Sequence, residues 1–151
     1  MNIQILAPGR LKAGAHKDLF DDYLKRMDWN ISIHELDSKH KDQIKIHTDE
    51  CAQILDRIEP QNFVIALDER GKSISSREMA AHIQTLQNSG QAGIQFLIGG
   101  ADGLNDTIRA RANLLLSFGK QTWPHMLARV MLLEQIYRAQ QILKNHPYHR
   151  N

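Results

Sequence analysis

The chain has 151 residues, 42% of them hydrophobic, a single cysteine and a formal net charge of +2. These values fit one globular core spanning residues 1–151, leave no room for a separate substrate domain, and exclude an internal disulfide. No apolar run is long enough to cross a bilayer, and the opening MNIQILAPGR is too short and too weakly charged for a secretory signal, so the cytoplasm is the expected compartment.

In chain order, NIQILA at 2–7 reads as a strand, followed by a helix with Leu19, Phe20, Tyr23, Leu24 and Met27 on one face. WNISIHEL at 29–36 alternates as a strand does, and Cys51, Ile54, Leu55 and Ile58 then recur at helical spacing. NFVIALD at 62–68 predicts a strand buried on both faces. Ser75 and Glu78 form a capping box opening a helix that carries Met79, Ile83 and Leu86. IQFLIGG at 94–100 is the next buried strand. A short helix near 105–112, a strand NLLLSF at 113–118 and a long helix beginning near Pro124, a residue suited to a first turn, complete the chain. Strands alternating with helices, without linker or repeat, predict an α/β domain: a mostly parallel sheet with helices on both faces.

Ligands of such sheets bind beyond the carboxyl ends of the strands. Three segments leave strands there with unusual residues: LDERGK at 67–72, IGGADGL at 98–104 and SFGKQTWPH at 117–125. The glycine cluster has the spacing G-G-x-x-G after the fourth strand. The dinucleotide fingerprint G-x-G-x-x-G is spaced differently and follows the first strand of its unit, and no Lys-Ser or Lys-Thr pair completes a P-loop. These glycines serve either a close backbone approach to a ligand or a sharp turn off the strand.

The last helix carries Met126, Leu127, Val130, Met131, Leu132, Leu133, Ile136 and Tyr137 at almost every angle around its axis, so it is covered on more than one side. A second subunit or burial within one core would each satisfy it. From Gly119 onward there are five Lys or Arg against one acid, Glu134, and the ending NHPYHRN gathers His146, Tyr148, His149 and Arg150. No Cys or further His completes a metal site with the two histidines, so no metal is expected. Imidazole, phenol and guanidinium groups suit base stacking and phosphate contact; a solvated basic face is the plainer alternative.

The residues LD and GK within 67–72, IGGADGL at 98–104 and TWPHMLARVMLLEQIYRAQQILKNHPYHR at 122–150 resemble the ribosomal large subunit pseudouridine methyltransferase H family, within the knotted SPOUT superfamily of RNA methyltransferases. The resemblance runs over essentially the whole chain. It implies an α/β domain of SPOUT fold whose C-terminal part is threaded into a deep trefoil knot, which general topology rules alone argue against. It also implies a homodimer that binds S-adenosylmethionine in a bent shape. The implied reaction methylates ring nitrogen 3 of a pseudouridine in the large-subunit (23S) rRNA of the assembled ribosome. Carried over by motif, Leu67, Gly100, Phe118, Gly119, Lys120, Gln121, Thr122 and Trp123 line the cofactor site. There glycine permits close approach, and loop amides and carbonyls read the adenine edge. Phe118-Gly119 stands where the family usually has Leu-Ser, so backbone contacts rather than side-chain contacts are what carries over at those positions.

Methyl transfer is an in-line displacement on a sulfonium carbon, which leaves the enzyme the tasks of alignment and of managing the acceptor's proton. Arg129, His149 and Arg150 are the candidates for stabilising the acceptor's imide anion and positioning a base, with His146, Tyr148 and Arg150 as RNA contacts. A structural salt bridge is the alternative for Arg129, and a loop-fixing hydrogen bond is the expected role of His125. Two other classes compete: a non-enzymatic RNA- or ribosome-binding module that uses the basic tail, and a flavodoxin-like nucleotide-binding domain.

Overall fold

Apolar alternation divides each central strand between two faces, and this division sets the layers seen in the computed structural model, which describes residues 1–150. The chain runs β1 (Asn2–Pro8), α1 (Ala15–Arg26), β2 (Asn30–Leu36), α2 (Gln43–Asp56), β3 (Phe63–Lys72), α3 (Ser76–Asn88), β4 (Gly93–Leu97), α4 (Asp106–Arg111), β5 (Leu114–Leu116) and α5 (His125–Leu143). All pairings are parallel, in the order β2-β1-β4-β3-β5.

Ile3, Ile5 and Ala7 of β1, Ile65 of β3 and Ile94 and Phe96 of β4 pack with Phe20 of α1, Met79 and Ile83 of α3, and Leu132, Leu133 and Ile136 of α5. The intervening Leu6, Val64, Ala66 and Leu97 pack on the other face against Cys51 and Ile54 of α2 and Ile108 of α4. Strands covered on both faces therefore read as apolar runs, whereas β2, at the sheet edge, keeps its alternation. Gln95 is the polar exception within β4 and is fully buried. It is satisfied: its amide donates to Gln4 Oε1 and Arg57 O, each at 2.8 Å, and its carbonyl accepts from Glu59 N at 2.8 Å.

The helix starts follow local chemistry. Asp42 caps α2 through Lys45 N, Ser75 and Glu78 close the capping box on α3, and Asn105 caps α4 through Ile108 N. Pro124 stands just outside α5, at its N-cap, rather than inside the first turn. β3 runs past Asp68, where the sequence predicts its end. After a register shift Lys72 returns to pair with Leu116, already the partner of Leu67. The return brings Gly71 so close to β5 that a Cβ there would sit 2.5 Å from the Leu115 carbonyl carbon. β5 is shorter than NLLLSF because the Ser117 hydroxyl turns to accept from Gly119 N at 3.1 Å, while the Asn113 side chain accepts from Val64 N at 2.7 Å.

α5 lies deep in the single chain. Val130, Leu132, Leu133, Ile136 and Tyr137 are buried among residues of the same molecule, leaving Met126, Leu127 and Met131 half-buried. Leu133 therefore belongs to the core of one molecule. No helix among the described residues is long and apolar enough to cross a membrane.

Candidate cofactor site

Because the sheet is parallel, the second half of β3 and the loops after β4 and β5 gather on one edge, and they enclose a cavity of about 670 Å³. Leu67, Ile98, Leu116 and Phe118 supply apolar wall. Gly99, Gly100, Gly119, Gln121, Thr122 and Trp123 supply loop backbone and polar groups, and Asp68, Arg109, His47 and His125 add charge or titratable nitrogen. The three strand-end segments singled out in the sequence thus meet in one place. Of the residues expected to line a cofactor site, Leu67, Gly100, Phe118, Gly119, Gln121, Thr122 and Trp123 are on this wall; Lys120 projects from the same loop, exposed.

The 118–123 loop is held by its own bonds. Trp123 Nε1 donates to Phe118 O at 3.2 Å, and the Ser117 hydroxyl donates to Gly119 O at 2.9 Å. Gly119 has φ +105°, a conformation that side chains rarely adopt, which gives a backbone reason for glycine at this position. The glycine loop after β4 is closed by Gly103 N donating to Gly100 O at 3.1 Å. A Cβ on Gly99 would lie 2.6 Å from the Gly103 carbonyl carbon, whereas one on Gly100 would lie 2.5 Å from Glu50 Oε2 of α2. Gly99 is thus fixed by backbone and Gly100 by a side-chain terminus that can swing away. Gly99→Ala is expected to displace the loop, costing about 1–3 kcal/mol of stability and roughly tenfold or more in ligand affinity. Gly100→Ala should be milder, and adding Glu50→Ala should restore it. Calorimetric titration of the three variants with S-adenosylmethionine checks the ranking, which fails if Gly99→Ala binds like the parent.

Burial pushes the Glu50 carboxyl above its usual range, with Asp102 and Asp49 adding to the rise and His47 opposing it. His47 itself donates to Gly103 O at 3.2 Å, tying α2 to the glycine loop. Arg109 ties three segments together, bonding Asp68 Oδ2 within β3 at 3.1 Å, Leu104 O at the end of the glycine loop, and Asp106 at the start of α4. On the opposite wall His125 has its pKa lowered, by burial first and by the charge of Arg129 second, and it sits there as a neutral ring.

The three residues expected to serve the chemistry are dispersed within one molecule. The Arg129 guanidinium, buried to 1% exposure, donates to Glu35 Oε2 at 2.8 Å, Pro8 O at 3.0 Å and Gly9 O at 3.1 Å, beneath the turn after β1. His149 Nδ1 accepts from Arg138 Nη1 at 3.3 Å, and Arg150 is exposed. Tyr148 anchors the tail. Its hydroxyl donates to Glu134 Oε1 at 2.9 Å and lies 3.2 Å from the Tyr23 hydroxyl, and its ring stands edge-on to Tyr137 with the Arg138 guanidinium 4.8 Å from its centroid. Burial, reinforced by Tyr23 and Glu134, pushes the Tyr148 phenol far above its usual range, so it stays protonated. His146 is exposed, with Nδ1 accepting from Tyr148 N. Glu134 also lines a second cavity of about 400 Å³, which shares Leu116, Phe118 and Gly119 with the first. Among the described residues no group of three potential metal ligands occurs.

Glu50, Arg109 and Glu134 escaped the sequence. Glu134 with Arg138 and Arg109 with Asp106 are helical neighbours, but the bonds that set their place, Glu134 to Tyr148 and Arg109 to Asp68, and the contact of Glu50 with the glycine loop, join separate elements and leave no local pattern.

The layered parallel sheet with its loop-built cavity defines the class. It is the fold of a probable methylase family protein from Haemophilus influenzae, matched with a TM-score of 0.59 at 14% identity over 99% of this chain and 70% of that one. A ribosomal RNA small subunit methyltransferase E from Neisseria gonorrhoeae, solved with S-adenosyl methionine, matches with a TM-score of 0.53 at 15% identity over 95% and 66%. A family model described as predicted SPOUT methyltransferase matches residues 1–149, and the chain belongs to that SPOUT methyltransferase family. Within it, the ribosomal RNA large subunit methyltransferase H of Rhodospirillum centenum is 44% identical over 153 aligned positions, covering 99% of both chains.

Proposed function

We propose that the chain is an S-adenosylmethionine-dependent methyltransferase that acts on ring nitrogen 3 of a pseudouridine in the 23S rRNA of the assembled ribosome. The observation that carries the proposal is the convergence of Leu67, Gly100 and the 118–123 loop on one cavity, in a chain with a full-length relative named as a large-subunit rRNA methyltransferase.

The cavity fits the cofactor by its chemistry. Its size is in the range of small-molecule sites, its floor is apolar, and its loops offer backbone groups to a ligand. When bound, S-adenosylmethionine supplies an electrophilic methyl group. In this proposal Leu67 and Phe118 flank the adenine while amides and carbonyls of 118–123 read its edge. Arg129 serves as a positioning residue, holding the Pro8–Gly9 turn and the first turns of α5 that carry His125 and Ala128. His149 and Arg150 approach the acceptor, where cationic groups favour the nitrogen anion left by proton loss, and His146 and Tyr148 contact RNA.

A homodimer is part of the proposal, as is the knotted threading that the family resemblance implies. The docked tail does not line the cavity of its own molecule, and α5 with the second cavity leaves Met131, Glu134 and Gln135 available to a second copy.

The test is calorimetry with S-adenosylmethionine beside transfer of tritiated methyl to purified ribosomes, with light scattering for the dimer. Saturable one-site binding and label recovered in a methylated pseudouridine are expected. Ribosome binding without donor binding would turn the assignment to a non-enzymatic RNA module.

A further inference from the structure

Cations without an ionic partner gather on one edge of this protein. The loops after β1 and β2 run side by side on the edge that carries the cavity: Pro8 is in register with Leu36, and Gly9 N donates to Leu36 O at 2.8 Å. Arg129 fastens both from beneath through Pro8 O, Gly9 O and Glu35. From these loops and the first turn of α2 project Arg10, Lys12, Lys39, Lys41 and Lys45, all exposed. Among the described residues none of the five enters an ion pair. The acids interspersed with them are Asp37 and Asp42, and the Asp42 carboxylate accepts from Lys45 N as the cap of α2.

The opposite edge differs. There Arg26 pairs with Asp22 and Lys144 with Asp28, so that Lys25 and Arg57, which bonds Gln53 O, stand without an ion pair but apart from one another. The unpaired patch also reaches the cavity, because α2 continues from Lys45 to His47, which lies on the cavity wall and bonds the glycine loop.

We infer that the loops after β1 and β2, with the first turn of α2, form a phosphate-tracking surface that seats the backbone of folded RNA beside the methyl-donor cavity; this rests on the rRNA methyltransferase assignment above. Separate, flexible, solvated charges are the chemistry that neutralises phosphates along a strand without reading bases. A lipid surface would call for an apolar face among the cations, and the only large exposed apolar side chain in these segments is Ile44.

The test is a full-length variant carrying Lys39→Gln, Lys41→Gln and Lys45→Gln, titrated against purified bacterial ribosomes at varied potassium chloride and constant magnesium. Ribosome affinity should fall about tenfold or more near physiological salt, and the slope of log affinity against log salt should become shallower by about 2 to 3. S-adenosylmethionine affinity and thermal melting should stay at the parent's values, and Lys25→Gln at the opposite edge should change none of these quantities. Parent-like ribosome affinity and salt slope in the triple variant would overturn the surface. So would a parent that binds anionic phospholipid vesicles as tightly as ribosomes and loses the vesicles with the triple substitution. Failure of the parent to bind S-adenosylmethionine, by contrast, sinks the methyltransferase assignment and leaves the ribosome titration to judge the surface on its own.

Discussion

Arg129→Met is expected to destabilise the protein by on the order of 3 kcal/mol, read as a lowered urea midpoint at unchanged slope. Methionine fills most of the volume, so the loss does not come from a cavity. It comes from two carbonyls, Pro8 O and Gly9 O, left without their donor under the turn after β1, and from Glu35 left without its cation. The Glu35 side chain is 35% exposed and rehydrates, so its share is the smaller. Adding Glu35→Gln should therefore recover little. Arg129→Lys should recover only part, since an ammonium lacks the planar fork that serves three acceptors at once. Burial works against the charged form of Arg129 and Glu35 works for it, and the Nε–H stays without a partner, so the clamp's worth lies in the Nη1 and Nη2 bonds to Glu35, Pro8 O and Gly9 O. A urea midpoint equal to the parent's would show that water replaces the guanidinium at no cost.

Deletion of residues 147–151 should lower methyl transfer to ribosomes by about a hundredfold or more while leaving S-adenosylmethionine affinity close to the parent's. The deletion removes Tyr148, His149 and Arg150 together, so both positioning and cationic stabilisation go. It also strips the Tyr148 ring from Tyr137 and Arg138, and some stability is lost with it. Tyr148→Phe separates the two effects, keeping the ring and losing only the bonds to Glu134 and Tyr23. Arg150→Lys keeps the charge without the fork and should retain part of the activity. Near-parental turnover in the truncated chain would reduce the tail to a solvated appendage.

The sequence carried those features whose physics is local. The Ser75–Glu78 box and the encircling apolar pattern of α5 have the structures their residues predict, and β4 forms from its apolar run, although it stops at Leu97 rather than at Gly100. The three strand-end segments meet as expected because a parallel sheet leaves them no other edge. What stayed hidden depends on distance along the chain. Glu35 and Arg129 are separated by 94 positions and Asp68 and Arg109 by 41, and neither pair leaves a periodic trace. The ERGK stretch looks like a turn, yet it continues β3 because Gly71 lets it close on β5. At Gly100 a need for glycine was visible, but Glu50 as the group standing behind it was not.

The strand order constrains how this chain comes into being. β1 is made before the other four strands, yet it lies between β2 and β4, so one of its edges stays unpaired until residue 97 has been synthesised. The face bearing Ile3, Ile5 and Phe96 stays open longer still, because Leu132, Leu133 and Ile136, which help to cover it, are synthesised after all five strands. Pairings of such long sequence separation make for slow assembly and a nascent chain that exposes apolar surface and strand edge together. Maturation is therefore nearly all-or-none: a chain that stops short of α5 is missing the lid of its own core.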